Sequence, residues 1–296
     1  MADGKQAGQE IHLIRAAAST NTISVVADET ARDLISTPAE NDLAYLKSED
    51  RYDSYESAAW VDNGGDDYKQ DFRTADLSEA FSVVDVTDNL TTGDGKETAT
   101  VRAERSISVS AVLQNASVAV VGATGMAFVF NSVPYGVKSM NYSESYDEID
   151  VTDSNTTGDG TETQVARATR ESQIELVLLN NLDDIVLATA ETTTMTFFAG
   201  GTVTGSWRPE SLDNANTIDD AQLQTYNGSW QGAVTESLGN MTTNAVLPTL
   251  LVSAQGKTYN GDAIVLSKTV AIAIDAEGTV DYSIKFNGAV TKTSNA

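Results

Sequence analysis

Aspartate, threonine and glycine recur in this chain in a pattern that could hold a cation. Residues 85–98 read DVTDNLTTGDGKET and residues 150–163 read DVTDSNTTGDGTET, identical at eleven of fourteen positions with an ungapped offset of 65. Asp85, Asp88, Asp94 and Glu97, with Asp150, Asp153, Asp159 and Glu162 in the second copy, offer the hard oxygen ligands that Ca²⁺ prefers. Their spacing departs from the EF-hand loop, which sets its ligands at alternate positions and closes on a distant Glu. Asp, Thr and glycines such as Gly93 and Gly158 are also what a tight polar β-connection uses to satisfy its own backbone. The second reading is the stronger. It predicts a reused structural unit with no metal and no cofactor.

Other chemistry is sparse. The single histidine, His12, sits between Ile11 and Leu13, as an ordinary strand residue would. There is no cysteine, so disulfides, thiolate metal sites and cysteine nucleophiles are excluded together. No Gly-x-Ser-x-Gly elbow, phosphate loop, HExxH or CxxC is present, and the expectation is a protein that is not an enzyme. Eighteen basic against forty-three acidic residues give a formal charge of −25, the opposite of what phosphate binding requires. A surface of that sign lets a polyanion slide past without sticking. No run is long and apolar enough for a membrane span, and the polar N-terminus shows no signal peptide, so the expected place of synthesis is the cytoplasm.

The elements that must position these loops read as strands. Apolar and polar residues alternate through Arg105–Leu113, Ser172–Leu178 and Val280–Phe286, as in sheets with one buried face. Shorter runs at Ala127–Phe130, Met195–Phe198 and Val270–Ile274 also predict strands, as do residues 10–15 and 23–27, joined by a polar turn. Short helices are expected around 39–50 and 180–192, and turns at Gly200-Gly201 and at 259–262. Between Asp42 and Glu79 lie eleven acidic and four basic residues with Tyr45, Tyr52, Tyr55, Trp60 and Tyr68 among them. Disordered acidic tracts are poor in aromatics, so this segment reads as a loop that docks on something. Aligning the copies sets residues 128–130 against 196–198, and a fainter third echo lies at 223–232. The predicted organisation is an arm with first strands (1–36), the acidic loop (37–80), two DVTD modules (81–145 and 146–210) and closing strands (211–296).

Several of these segments resemble the phage major tail tube proteins of siphophage type. The run from Lys5 to Arg15 resembles that family's opening. Val84–Thr87 with Ser106–Leu113, and Ile149–Thr152 with Ser172–Leu178, resemble its DVT strand end, polar loop and Ser/Val-alternating strand. Residues 256–267 and 280–290 are similar to its close. The resemblance implies a mainly β fold, a β-sandwich or partly closed barrel with one or two short helices. It implies subunits in hexameric rings whose inner strands join into one lumen barrel, with rings stacked into a virion tail tube. Partners would be other copies, a tape-measure protein, a tail terminator protein and DNA in transit, with no membrane. The second DVTD module and the acidic segment depart from the family pattern, leaving one domain with an insertion or a near-duplication. Arg102, Arg105, Arg167 and Arg170 are expected to pair with carboxylates. Competing classes are a capsid decoration protein and a bacterial surface adhesin module.

Overall fold

The computed structural model describes residues 12–14, 23–39, 42–46, 51–56, 58–62, 72–88, 96–115, 118–122, 125–177, 185–215, 223–238, 243–244, 246–254 and 257–294. Most of them are strand. In chain order the elements begin with β1 (His12–Ile14), β2 (Ile23–Val26), α1 (Glu29–Asp33), β3 (Leu43–Leu46), β4 (Arg51–Glu56) and β5 (Ala59–Asp62). Next come β6 (Phe72–Asp85), β7 (Thr98–Val112), β8 (Gln114–Asn115), β9 (Val118–Ala119), β10 (Ala127–Phe130) and β11 (Val133–Tyr135). The rest are β12 (Val137–Asp150), β13 (Thr163–Val177), β14 (Glu191–Phe198), β15 (Gly201–Ala215), β16 (Leu223–Glu236), β17 (Val246–Ala254), β18 (Lys257–Ala273) and β19 (Thr279–Ser294).

The fold is mainly β, as the alternation predicts. One antiparallel sheet follows the path β11-β10-β14-β15-β16-β13-β12-β18-β19-β7-β6, with β17 joined to β18 and β1 to β17. It is not a closed barrel. The helix expected around 39–50 gives way to strand, with β3 at 43–46. The one around 180–192 gives way to turn and irregular backbone at 185–190 and then to β14 (191–198), where Thr192, Thr193 and Thr194 favour extended backbone. Residues 178–184 lie outside the described set. Helix is confined, among the described residues, to α1, whose Asp28 cap accepts the Ala31 N–H at 2.9 Å. The turn expected at 259–262 is instead the middle of β18. Gly261 sits at a register shift there, close enough to β19 that a Cβ would lie 2.7 Å from the Ala289 carbonyl oxygen.

Most of the described part of the segment 37–80 is strand and not the expected loop. It carries β3, β4, β5 and the first half of β6. β2 to β5 form a separate four-stranded sheet with β2 parallel to β3, so the strands at 12–14 and 23–26 belong to different sheets. α1 is tied to this sheet by an ion pair from Arg32 to the fully buried Asp53 of β4.

Duplication shows in the large sheet as two long hairpins. β6 and β7 span 72–85 and 98–112, and β12 and β13 span 137–150 and 163–177, every bound displaced by 65. Their register shifts match too, at Phe72/Thr74 and Phe81/Val83 against Val137/Ser139 and Tyr146/Glu148. The repeating unit is therefore the hairpin, and the expected boundaries at 80/81, 145/146 and 210/211 fall inside β6, β12 and β15.

A second internal repeat completes each hairpin. β7 pairs with β19 and β13 with β16, setting Ile107 opposite Ile284 and Ser172 opposite Gly228. β16 and β19 thus correspond at an offset of 56, and GlnGlyAlaValThrGlu (231–236) matches AsnGlyAlaValThrLys (287–292). Their partners β15 and β18 correspond likewise. Ala188, at φ 63°, donates its N–H to the Pro209 carbonyl at 2.8 Å, and Asn244, at φ 58°, donates to Val265 at 2.9 Å. The sheet is thus two four-stranded modules side by side, β15-β16-β13-β12 and β18-β19-β7-β6. One is inserted in the chain between the halves of the other. β14 flanks β15 as β17 flanks β18, so the counterpart of 196–198 is in β17. Residues 128–130 are β10, a sheet neighbour of β14. The echo at 223–232 belongs to β16.

One face of the modules is apolar. Ile107, Val109, Tyr142, Ile174, Val280 and Ile284 from that face join one cluster with Phe128, Met195 and Trp207. The Phe128 and Trp207 rings meet edge to face at 5.8 Å. Each such large apolar side chain contributes about 1.5–3 kcal/mol by leaving water. Lys268, fully buried where the modules join, is neutralised by Glu236 and donates to the Leu238 carbonyl at 2.8 Å.

Candidate functional site

Three carboxylates of the duplicated turns, Asp85, Asp150 and Asp153, are spent on the turns' own backbone. Asp85 accepts the Thr87 N–H at 2.9 Å, and Asp150 accepts the Thr152 N–H at 2.9 Å. The Thr87 hydroxyl accepts the Glu97 N–H at 2.9 Å, as Thr152 does for Glu162 at 2.8 Å. Hydrogen bonds from the Thr side chains and backbones hold both aspartates below the usual carboxylate range. Asp153 takes the Asn155 and Thr156 N–H groups at 2.7 and 3.2 Å. No group of three metal-ligating side chains forms among the described residues. Gly93 and Asp94 lie outside that set, and Asp88 is at its edge.

Only the second turn is seen against a neighbour, and that neighbour is the first module. The Arg105 guanidinium, 2% exposed, bonds both oxygens of Asp159 at 3.1 and 2.6 Å and Glu79 at 2.8 Å. Arg102 donates to the carbonyls of Gly160 at 3.0 Å and Asp153 at 3.1 Å. Backbone follows: the Ala103 N–H donates to the Asp159 carbonyl at 2.7 Å, and Gly288 N–H to Thr161 at 2.8 Å. A Cβ at Gly160 would fall 1.7 Å from the Gly288 oxygen, so only glycine permits this approach. Arg105 and Arg170 pair with carboxylates as expected, Arg170 with Glu144 at 2.7 Å. Arg102 binds carbonyls instead, and Arg167 makes no hydrogen bond or ion pair among the described residues.

This docking is acid-labile by the sign of its shifts. Hydrogen bonds from Arg105 hold Asp159 below the usual range; for Glu79 burial pushes upward, but the bonds from Lys292 and Arg105 outweigh it. Groups depressed on folding stabilise the fold above their unfolded pKa of about 4 and stop doing so as pH falls through the folded value. Hydrogen exchange, corrected for intrinsic rate, should show Ala103 protected at neutral pH and losing protection below pH ~4. Undiminished protection below pH ~3 would show that the ion pair does not hold the turn.

The other face of the modules is mostly polar, with Ala271 and Ala273 among its polar residues. Registered rows cross it from strand to strand, such as Thr74, Ser110, Asp281, Thr269, Ser143 and Glu171, and none of the six is buried. Cations at its margins are neutralised, Lys285 by Glu104 and Glu148 and Arg208 by Glu210.

The sheet also has two open edges that correspond. Residues 139–145 of β12 pair with 267–273 of β18 to join the modules. Their counterparts are 74–80 of β6 and 211–215 of β15. Among the described residues β6 pairs only with β7, and this part of β15 only with β16.

Of the aromatic residues expected to make contacts, Tyr55 and Trp60 are half-buried and meet edge to face at 5.2 Å. Tyr45 and Tyr52 stand opposite each other in β3 and β4, and Tyr68 is outside the described residues. Gly232, Gly288 and the two open edges went unread in the sequence. The repeated GlyAlaValThr at 232–235 and 288–291 was the available signal.

No protein-family model matches the chain, and no curated protein does. Among solved structures it is similar to a chain in the virion of the native gene transfer agent particle. Identity there is 14% and TM-score 0.33, covering 42% of this chain and 98% of that one. It is also similar to a chain in the tail of the empty particle, computed with helical refinement in C6 symmetry. There identity is 16% and TM-score 0.29, covering 35% of this chain and 83% of that one. Overlaps at these TM-scores carry no functional conclusion.

Proposed function

We propose that this chain is a structural subunit of a phage-like virion tail, the major tube protein, assembling head to tail into rings that stack around a DNA conduit. The carrying observation is the pair of open edges, each the counterpart of a strand in the internal joint. Joining β6 of one copy to β15 of the next repeats within the assembly what β12 and β18 do within the chain. The same register sets Asp76 opposite Ala215, Leu77 opposite Asn214 and Ser78 opposite Asp213. Head-to-tail contacts of this kind close into rings when the rotation permits. With two modules per chain, a ring of given module number takes half as many chains. Edge pairing also removes the exposed strand edges that would otherwise aggregate.

The polar face supports the conduit, because it is rich in hydroxyls and carboxylates and the cations described at its margins, Lys285 and Arg208, are paired. In this reading the β2–β5 sheet makes contacts between rings, a tape-measure protein occupies the lumen during assembly, and a terminator protein caps the last ring. Negative-stain microscopy of the purified protein should show rings or tubes. Monomers at every concentration and salt would sink the proposal, and discrete units that coat capsids would favour a decoration protein.

A further inference from the structure

The first module receives the second turn, and the second module carries the same receiving surface with no turn on it among the described residues. Arg167, Ala168 and Arg170 correspond to Arg102, Ala103 and Arg105, while Gly232 corresponds to Gly288. Both glycines have positive φ, 69° and 79°. Occupancy is where they differ. Arg105 is 2% exposed beneath Asp159, whereas Arg170 is 21% exposed. A Cβ on Gly288 would meet Glu162 at 3.8 Å, and one on Gly232 would meet nothing within 4 Å. Arg102 holds three turn carbonyls, of Asp153, Gly158 and Gly160, and Arg167 holds none among the described residues.

We propose that the surface around Arg167, Arg170 and Gly232 receives the β6–β7 turn of a second copy of this chain, as the surface around Arg102, Arg105 and Gly288 receives the chain's own β12–β13 turn. This rests on the head-to-tail assembly proposed above, and it adds a latch to the sheet joint. The occupant is identified by sequence. The turn residues that touch the receiving surface in cis through Asp153, Gly158, Asp159 and Gly160 recur unchanged at 88, 93, 94 and 95. Thr161 is replaced by Lys96, but Thr161 acts there through its carbonyl, which any residue supplies. The described base of the first turn has the same hydrogen bonds as the second, from the Thr87 N–H to the Asp85 carboxylate and from the Glu97 N–H to the Thr87 hydroxyl. Geometry agrees with the direction of assembly. In cis the β12–β13 turn leans across the joint over β18 onto β19 and β7. By correspondence the β6–β7 turn leans over β15 of the next copy onto β16 and β13. Outside the turns the hairpins share few residues, and four of these are the docking set Glu79/Glu144, Arg102/Arg167, Ala103/Ala168 and Arg105/Arg170.

The test exploits an exposed residue that the single chain does not use. Arg167→Glu should leave circular dichroism and thermal unfolding unchanged while raising the concentration needed for assembly roughly tenfold, the effect of one lost charge-assisted contact. Arg167→Lys should recover most of it. A second arm uses the cysteine-free background. In cis the Thr163 N–H donates to the Asn287 side-chain oxygen at 2.6 Å, and the counterparts are Thr98 and Gln231. Thr163→Cys with Asn287→Cys should close within a chain, and Thr98→Cys with Gln231→Cys should close only between chains. Unchanged assembly of Arg167→Glu overturns the latch, as does an interchain pair that stays reduced while the cis pair oxidises. If a Ser78→Cys with Asp213→Cys pair still links chains in those cases, head-to-tail assembly survives and only the latch fails. A wild-type chain that never oligomerises sinks both.

Discussion

A chain carrying Ser78→Cys and Asp213→Cys is expected to oxidise into covalent chain-to-chain ladders, with complete rings migrating as the limiting band. The two positions correspond to Ser143 and Thr269, which stand directly opposite each other in the internal joint. Opposed residues of an antiparallel pair have Cβ atoms about 4.5–5.5 Å apart, close to what a disulfide spans. No bridge within one chain competes, because β15 and β6 lie seven strand steps of ~4.8 Å apart in the sheet order. Both side chains are exposed in the single chain, so the substitutions cost little folding stability. Moving one partner along the strand by one residue turns it to the other face, so Leu77→Cys with Asp213→Cys should stay reduced. Equal linking of both pairs would mean random collision, and the joint as described would be wrong.

The fold class was legible because strands with one buried face announce themselves. Ile107, Val109 and Ala111 alternate with serines, and Val280, Tyr282 and Ile284 with polar residues. The turn repeat was legible for a different reason. The Asp85 carboxylate and the Thr87 hydroxyl, with their twins Asp150 and Thr152, each accept a particular backbone N–H that few other side chains could take, so the two copies still read alike. The strands between them need only be apolar on one side, a demand many sequences meet, and the module boundaries were therefore misplaced. Pairing of β16 with β13 and of β19 with β7 is long-range, and its one local trace was the repeated GlyAlaValThr. The segment 42–62 failed differently. Its charges and aromatics describe a surface, yet one face is buried, and there Ala44 and Leu46 stand with the carboxylates Asp42 and Asp53, which hides the apolar alternation.

That small sheet supports the second large effect. Deleting residues 42–70 is expected to leave a folded chain that makes single rings and no long tubes. β3, β4 and β5 go with the deletion and β2 loses its partner, yet among the described residues no strand of the β2–β5 sheet pairs with the large sheet. The core cluster loses nothing, since none of its residues lies before Ile107. Far-ultraviolet circular dichroism and the cooperativity of unfolding should therefore persist. What disappears is an appendage tied together by Arg32 with Asp53 and by Tyr55 with Trp60. A half-buried Tyr–Trp pair rimmed by charges has the composition of an interface anchor, and rings in the proposed tube need such a contact along the axis. In the proposed tube, edge joining of β6 to β15 would act around the ring, and both strands lie outside the deleted residues. Ring formation and ring stacking should therefore separate in this variant. Microscopy that shows tubes of normal length would assign the small sheet to the outer surface, and a collapse of the β signal would make it part of the folding unit.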